Sequence, residues 1–231
     1  RDAQESRGLG DVYKRQSKRR ILYKDTKMKL KNSQVGKFVP IKVPQGIYYG
    51  GFQNSLMHMG VNKFYRDRSC VVTAFTNTYL YLYHRDEIFS LEEYNAYHYE
   101  FFKKLRPHAN GVPTVLALDR RSKRIIADRN LKLNSHIMED FMFKKKSKTQ
   151  KIDFINEALY RDLPVIFINW LSPEVKVMSH HGVTITECND MGDHHELVIS
   201  SWGRPYRVDF DQFERQSRTC LLYTSPSPRD S

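Results

Sequence analysis

The stretch Cys70-Val-Val-Thr-Ala-Phe-Thr-Asn-Thr-Tyr-Leu-Tyr-Leu-Tyr83 is apolar nearly all the way round. A run of this kind has to be buried, as a helix or as a strand. Its length, and the absence of any turn residue within it, favour a helix despite the β-branched side chains. Whatever else the chain builds must therefore enclose a helix that has almost no polar face.

Two kinds of period surround it. Ser90-Leu91-Glu92-Glu93 is a capping box, and Leu91, Tyr94, Tyr97, Tyr99 and Phe101/Phe102 continue an amphipathic helix to about Leu105. Pro107 ends it. Residues 113–127 read as another helix, with Arg120, Arg121, Lys123 and Arg124 toward water, and Thr149 to Arg161 as a third, buried along Ile152, Ile155, Ala158 and Leu159. After that the period changes to two. Pro164 to Asn169, Gly182 to Thr186, Glu196 to Ser200 and Pro205 to Phe210 read as strands, and Cys188 to His195 as a hairpin loop. Helices first and antiparallel strands second define an α+β domain.

The ends call for a different reading. The tail Cys220 to Asp230 can be encoded by DNA whose opposite strand, in another frame, translates as Ser6 to Gln16. Two ends of a natural protein have no reason to be reverse complements. Residues 1–16 and 220–231 are therefore expected to be sequencing-adapter read-through and are set aside. Residues 17–43 are basic, poor in large apolar side chains and end in Val39-Pro40-Ile41-Lys42-Val43, so a linker or extended arm is expected. Residues 44–219 are left as the domain.

The net charge of +12 would suit nucleic acid, anionic lipid or acidic peptides. It is spread over separate runs (Lys18 to Lys37, Arg120 to Arg129, Lys144 to Lys151) with no aromatic-interleaved basic helix, so a solvated basic surface is favoured over a nucleic-acid partner. Outside the set-aside tail the cysteines are Cys70 and Cys188, too few for a disulfide framework. No apolar run approaches the roughly 18 residues of a membrane helix.

If Cys70 opens the long helix, the first backbone N–H groups and the helix dipole point at its sulfur and favour the thiolate, the nucleophilic form. A histidine brought close would take the thiol proton and later return it to a leaving amine. The rival reading of Cys70 is a small buried hydrophobe.

Four segments weigh toward the nucleophile. Ser69-Cys70-Val-Val-Thr-Ala-Phe-Thr-Asn77 resembles the nucleophile helix of papain-like cysteine peptidases, in particular the bacterial double-glycine leader peptidases. Asp162-Leu-Pro164-Val-Ile resembles the strand that follows in that group. His181-Gly-Val-Thr-Ile-Thr186 looks like its base-carrying strand, and Ser200-Ser201-Trp202-Gly203 resembles its Asn-Ser-Trp-Gly motif. The resemblance covers roughly residues 46–215. It implies a papain-like fold and a peptidase acting on a peptide or protein substrate without a cofactor. Cys70 would be the nucleophile and His181 the base, with Ser200 in the place of the residue that orients the histidine and Gln53 the oxyanion donor. His181 is preferred over His180 because the spacing in that group is His-x-Val.

Three departures accompany the match. Ser200 is a neutral hydroxyl where the group has Asn or Asp, Val71 replaces a glycine, and Gln53 lies far upstream of Cys70, so the segment Asn54 to Ser69 would have to fold back. Val71 and Ser200 also suit a catalytically inert binding module of the same fold. His180, His181, Cys188, His194 and His195 are metal-ligand types, but their spacing fits no zinc motif, and a solvated hairpin is expected there.

Overall fold

The computed structural model describes residues 27–131, 134–141, 145–170, 175–217 and 219–225. The apolar run is a helix, α2 (Cys70–Tyr83), preceded by a single turn, α1 (Lys63–Arg66). Its residues from Val71 to Leu82 are all buried. Around it lie α3 (Leu91–Leu105), α4 (Val115–Ala127) and α5 (Lys148–Tyr160). The capping box at α3 is made in full: Ser90 Oγ accepts from the Glu93 N–H at 3.1 Å, and the Glu93 carboxylate accepts from the Ser90 N–H at 2.7 Å.

A seven-stranded antiparallel sheet forms the other layer. Its strands are β1 (Lys27–Lys29), β5 (His136–Phe141), β6 (Val165–Asn169), β7 (His181–Asp190), β8 (His195–Ser201), β9 (Arg204–Asp209) and β10 (Thr219–Thr224). The order is β5-β10-β6-β7-β8-β9, with β1 on β7. A smaller sheet joins β3 (Gly46–Tyr49), β2 (Pro40–Val43) and β4 (Phe89–Ser90). Helix α2 packs on β6 and β7, and a short helix, α6 (Phe210–Gln216), follows β9. This is a mixed helix and antiparallel-sheet domain.

Four sequence expectations change. The basic arm at 17–43 belongs to the domain from Lys27 on. Leu30, Phe38, Val39 and Ile41 are buried there, and β1 and β2 pair into the two sheets. Its basic composition hides these few anchors; residues 17–26 lie outside the described part. The set-aside tail supplies β10, which runs between β5 and β6 with Cys220, Leu222 and Tyr223 fully buried. That run is apolar and strand-like whatever DNA encodes it; residues 1–16 and 226–231 lie outside the described part. The strand expected at 182–186 continues through Cys188 to Asp190, so the hairpin loop shrinks to a tight turn at 191–194. Finally, strands β1 to β5 precede or interleave with the helices, because segments of two to six residues carry too little period to read.

Candidate active site

Cys70 is the first residue of α2, and no side chain caps that helix end. Cys70 is partly buried. Burial raises its pKa, while the backbone N–H groups of Gly182, Val71 and Cys70 itself pull it down; the net direction is up. The helix end thus supplies donors for a developing sulfur anion, but at rest the group is a thiol.

The approach of strand to helix is set by Gly182. A Cβ at that position would stand 2.6 Å from Val71 Cγ2 and 3.1 Å from the Val71 nitrogen. Valine therefore fits after Cys70 because the facing strand carries the glycine. Thr184, two residues on, points the same way and donates to the Ala74 carbonyl at 3.3 Å.

His181 opens β7, after His180 in the left-handed region at φ 49°. Its Nε2 lies 2.7 Å from Ser201 Oγ, and its ring stacks on Trp202 with centroids 4.8 Å apart and planes at 17°. Burial lowers its pKa to about 4. The pair can run in either direction; in the tautomer that gives Nε2–H to Ser201, Nδ1 is the nitrogen left to act as base. Among the described residues no hydrogen bond joins the ring to the Cys70 sulfur. The two groups nevertheless face common space. Both line a cavity of about 340 Å³ together with Asp67, Arg68, Gly111, Trp170 and His180. Both also line a narrow crevice with Gln53, Ser200, Ser201 and Trp202.

Ser200 does not hold the histidine. Its hydroxyl donates to the Tyr49 carbonyl at 2.7 Å. Successive residues of a strand turn opposite ways: Ser200 pairs with Thr184 and is taken up by the Tyr49 carbonyl, while the Ser201 hydroxyl is the one that reaches the His181 ring at the edge of the shared crevice. The orienting contact expected of Ser200 is made by its neighbour.

Gln53 begins a 3-10 helix, Gln53–Met59. Residues 54–69 fold back so that Gln53 and Cys70 line the same crevice, and Gln53 Nε2 donates to the Asp67 carbonyl at 3.2 Å. Just before it, Gly51 lies so close to Tyr94 that a Cβ would fall 2.0 Å from the ring. The Gly51 N–H donates to Asn77 Oδ1 at 2.9 Å, and Tyr94 Oη donates to the same oxygen at 3.0 Å.

The remaining ligand-type residues are dispersed. His194 pairs with Asp193 and His195 with Asp211, at 2.7 and 3.2 Å. Among the described residues no three His, Cys, Asp or Glu side chains converge as a metal site would require. Cys188 is buried with its pKa pushed up to about 12, mainly by burial.

No family model and no curated protein matches the chain. Among solved structures it is similar to the peptidase domain of Streptococcus ComA, a bifunctional ABC transporter involved in a quorum-sensing pathway. The identity is 10%, the TM-score 0.41, and the match covers 70% of this chain and 93% of that one.

Proposed function

We propose that the chain is a papain-like cysteine peptidase in which Cys70 and His181 act as a neutral pair. The observation that supports this most is their shared lining of one crevice at the start of α2, with Gly182 pressed on Val71 to bring strand and helix together. Cys70 Sγ attacks the amide carbon and passes its proton to His181 Nδ1. The oxyanion is met by the Cys70 N–H and by Gln53 Nε2 once it leaves Asp67. Collapse breaks the C–N bond, His181 returns the proton to the leaving amine, and a thioester remains. Water, deprotonated by His181, then releases the acid and restores the thiol. Ser201 and Trp202 fix the ring plane. A base held near pKa 4 pulls weakly on a proton, so slow turnover is the expected signature.

The test is cleavage of a mixed peptide library read by mass spectrometry. Cys70→Ala and His181→Ala should each abolish it, and the acyl-enzyme should be seen at Cys70. Cleavage that survives Cys70→Ala refutes the proposal. One observation favours a second reading, an inert binding module: Ser201, a neutral hydroxyl, is the hydrogen-bond partner of the partly buried His181. Iodoacetamide labelling at pH 6 separates the two. The peptidase needs labelling slowed by His181→Ala, while the inert module predicts no change.

A further inference from the structure

His98 lies in α3, away from the reacting atoms, and is fully buried. Burial drives its pKa down to about 3, so the ring is neutral at any ordinary pH. Its two nitrogens are engaged by different elements: Nδ1 lies 3.4 Å from Ser55 Oγ and Nε2 lies 3.0 Å from Thr73 Oγ1. Ser55 stands two residues after Gln53 in the same 3-10 helix, and Thr73 stands one turn after Cys70.

The direction of these bonds follows from hydroxyl chemistry. Thr73 Oγ1 donates its one proton to the Ser69 carbonyl at 3.0 Å. It can therefore only accept from the imidazole, which fixes the Nε2–H tautomer. Nδ1 is then an acceptor, and the Ser55 hydroxyl donates to it. The chain runs Ser55 to His98 to Thr73 to the carbonyl of Ser69, the residue just before Cys70. A second link starts from the same turn, where Gln53 Nε2 donates to the Asp67 carbonyl. Asp67 and Ser69 flank one residue, so the two links close a ring of hydrogen bonds around the segment that leads into Cys70.

We infer that His98 is a positioning residue for the oxyanion site: through Ser55 and Thr73 it fixes the Gln53 turn against the start of α2. The inference rests on the peptidase reading for its catalytic consequence, but not for its geometry. Of the two proposed oxyanion donors, Gln53 Nε2 is itself a member of this ring and the Cys70 N–H follows directly after its Ser69 corner. Their spacing is set by a buried, neutral, fully committed imidazole. An apolar side chain at 98 would fill the space but leave the Ser55 and Thr73 hydroxyls without their shared partner.

The experiment uses Ser55→Ala, which cuts the link with little loss of volume, beside His98→Gln, which keeps a polar group able to reach one of the two hydroxyls. The first readout needs no activity: the order of the Gln53 side-chain amide by NMR relaxation. Ser55→Ala should loosen it and His98→Gln should retain part of the wild-type order. The second is a cycle with Gln53→Ala in the peptide-cleavage assay. Ser55→Ala should lower kcat about tenfold with KM within about twofold, a fraction of the ~10²-fold or more expected for losing the donor outright. In the Gln53→Ala background the effect of Ser55→Ala should vanish. A Gln53 amide as ordered in Ser55→Ala as in the wild type overturns the inference, and so does an undiminished effect of Ser55→Ala without Gln53. If the wild type cleaves nothing while Ser55→Ala still loosens Gln53, the peptidase reading falls and the positioning role of His98 stands.

Discussion

Replacing Gly182 by alanine tests the contact on which the site depends. The new Cβ would meet Val71 Cγ2 at 2.6 Å and the Val71 nitrogen and Cα at 3.1 and 3.2 Å, where ordinary contact begins at 3.4 Å. The methyl group can rotate aside, but the two backbone atoms cannot, so helix and strand must part by about 0.2–0.3 Å even after it does. Overpacking of this kind costs about 1–3 kcal/mol. For a chain of this size that is a fall in melting temperature of roughly 2–12 °C. The catalytic penalty should outrun the thermal one, because the displaced atoms are the first helical N–H groups and the residue next to His181. Misplacement of about 1 Å can cost ~10²-fold, so several-fold loss of cleavage is expected for a few tenths. Differential scanning calorimetry and the peptide assay measure the two effects. An alanine variant with wild-type melting and wild-type cleavage would show that the approach of β7 to α2 is not what brings Cys70 and His181 together.

Other perturbations follow from the same geometry. Ser201→Asp sets a carboxylate beside His181 and should raise its pKa above the present value of about 4, seen by NMR titration of the ring; Ser200→Asp, whose side chain is turned to the Tyr49 carbonyl, should raise it less. His181 and His98 bind protons in the unfolded chain near pH 6.5 but in the folded one only near 4 and 3. The unfolded state therefore holds more protons between those values. The contribution of these two groups is fully present above pH 6.5 and falls as pH drops toward 4, by about 1.4 kcal/mol per pH unit for each histidine. Urea melts at several pH values should show a shallower slope in His98→Gln. Leu222→Ala, at a fully buried position of β10, should cost about 2–5 kcal/mol by urea denaturation. A change under about 0.5 kcal/mol would place that strand outside the sheet.

The long helices were legible because their signals are redundant. The apolar run at 70–83 and the stripe at 94–105 each repeat over several turns, and the Ser90–Glu93 box marks a start that the structure reproduces bond for bond. The short strands were not. β1 and β3 hold three and four residues with mixed exposure; β1 is a strand by virtue of β7, far along the chain, and β3 by the short hairpin it makes with β2. The site divides the same way. Cys70, His181 and Gln53 stand out as residue types and line one crevice, whereas choosing Ser200 over Ser201 required knowing which face of β8 looks at α2, and a register of one residue reverses that answer. His98 left a fainter mark. It falls on the buried side of its helix with Tyr94, Phe101 and Leu105, and a lone imidazole within such a stripe was its one visible signal.

The placement of β10 has a consequence for how the chain assembles during synthesis. Strands β5 and β6 are made long before the residues that join them, so each leaves the ribosome with an open edge facing the other across a missing strand. At ~5–20 residues per second, the stretch from Asn169 to Thr224 takes roughly 3–11 seconds to emerge. For that interval the nascent domain exposes two hydrogen-bonding edges able to recruit a strand from another chain. The pairing of β10 with both edges is what ends this exposure.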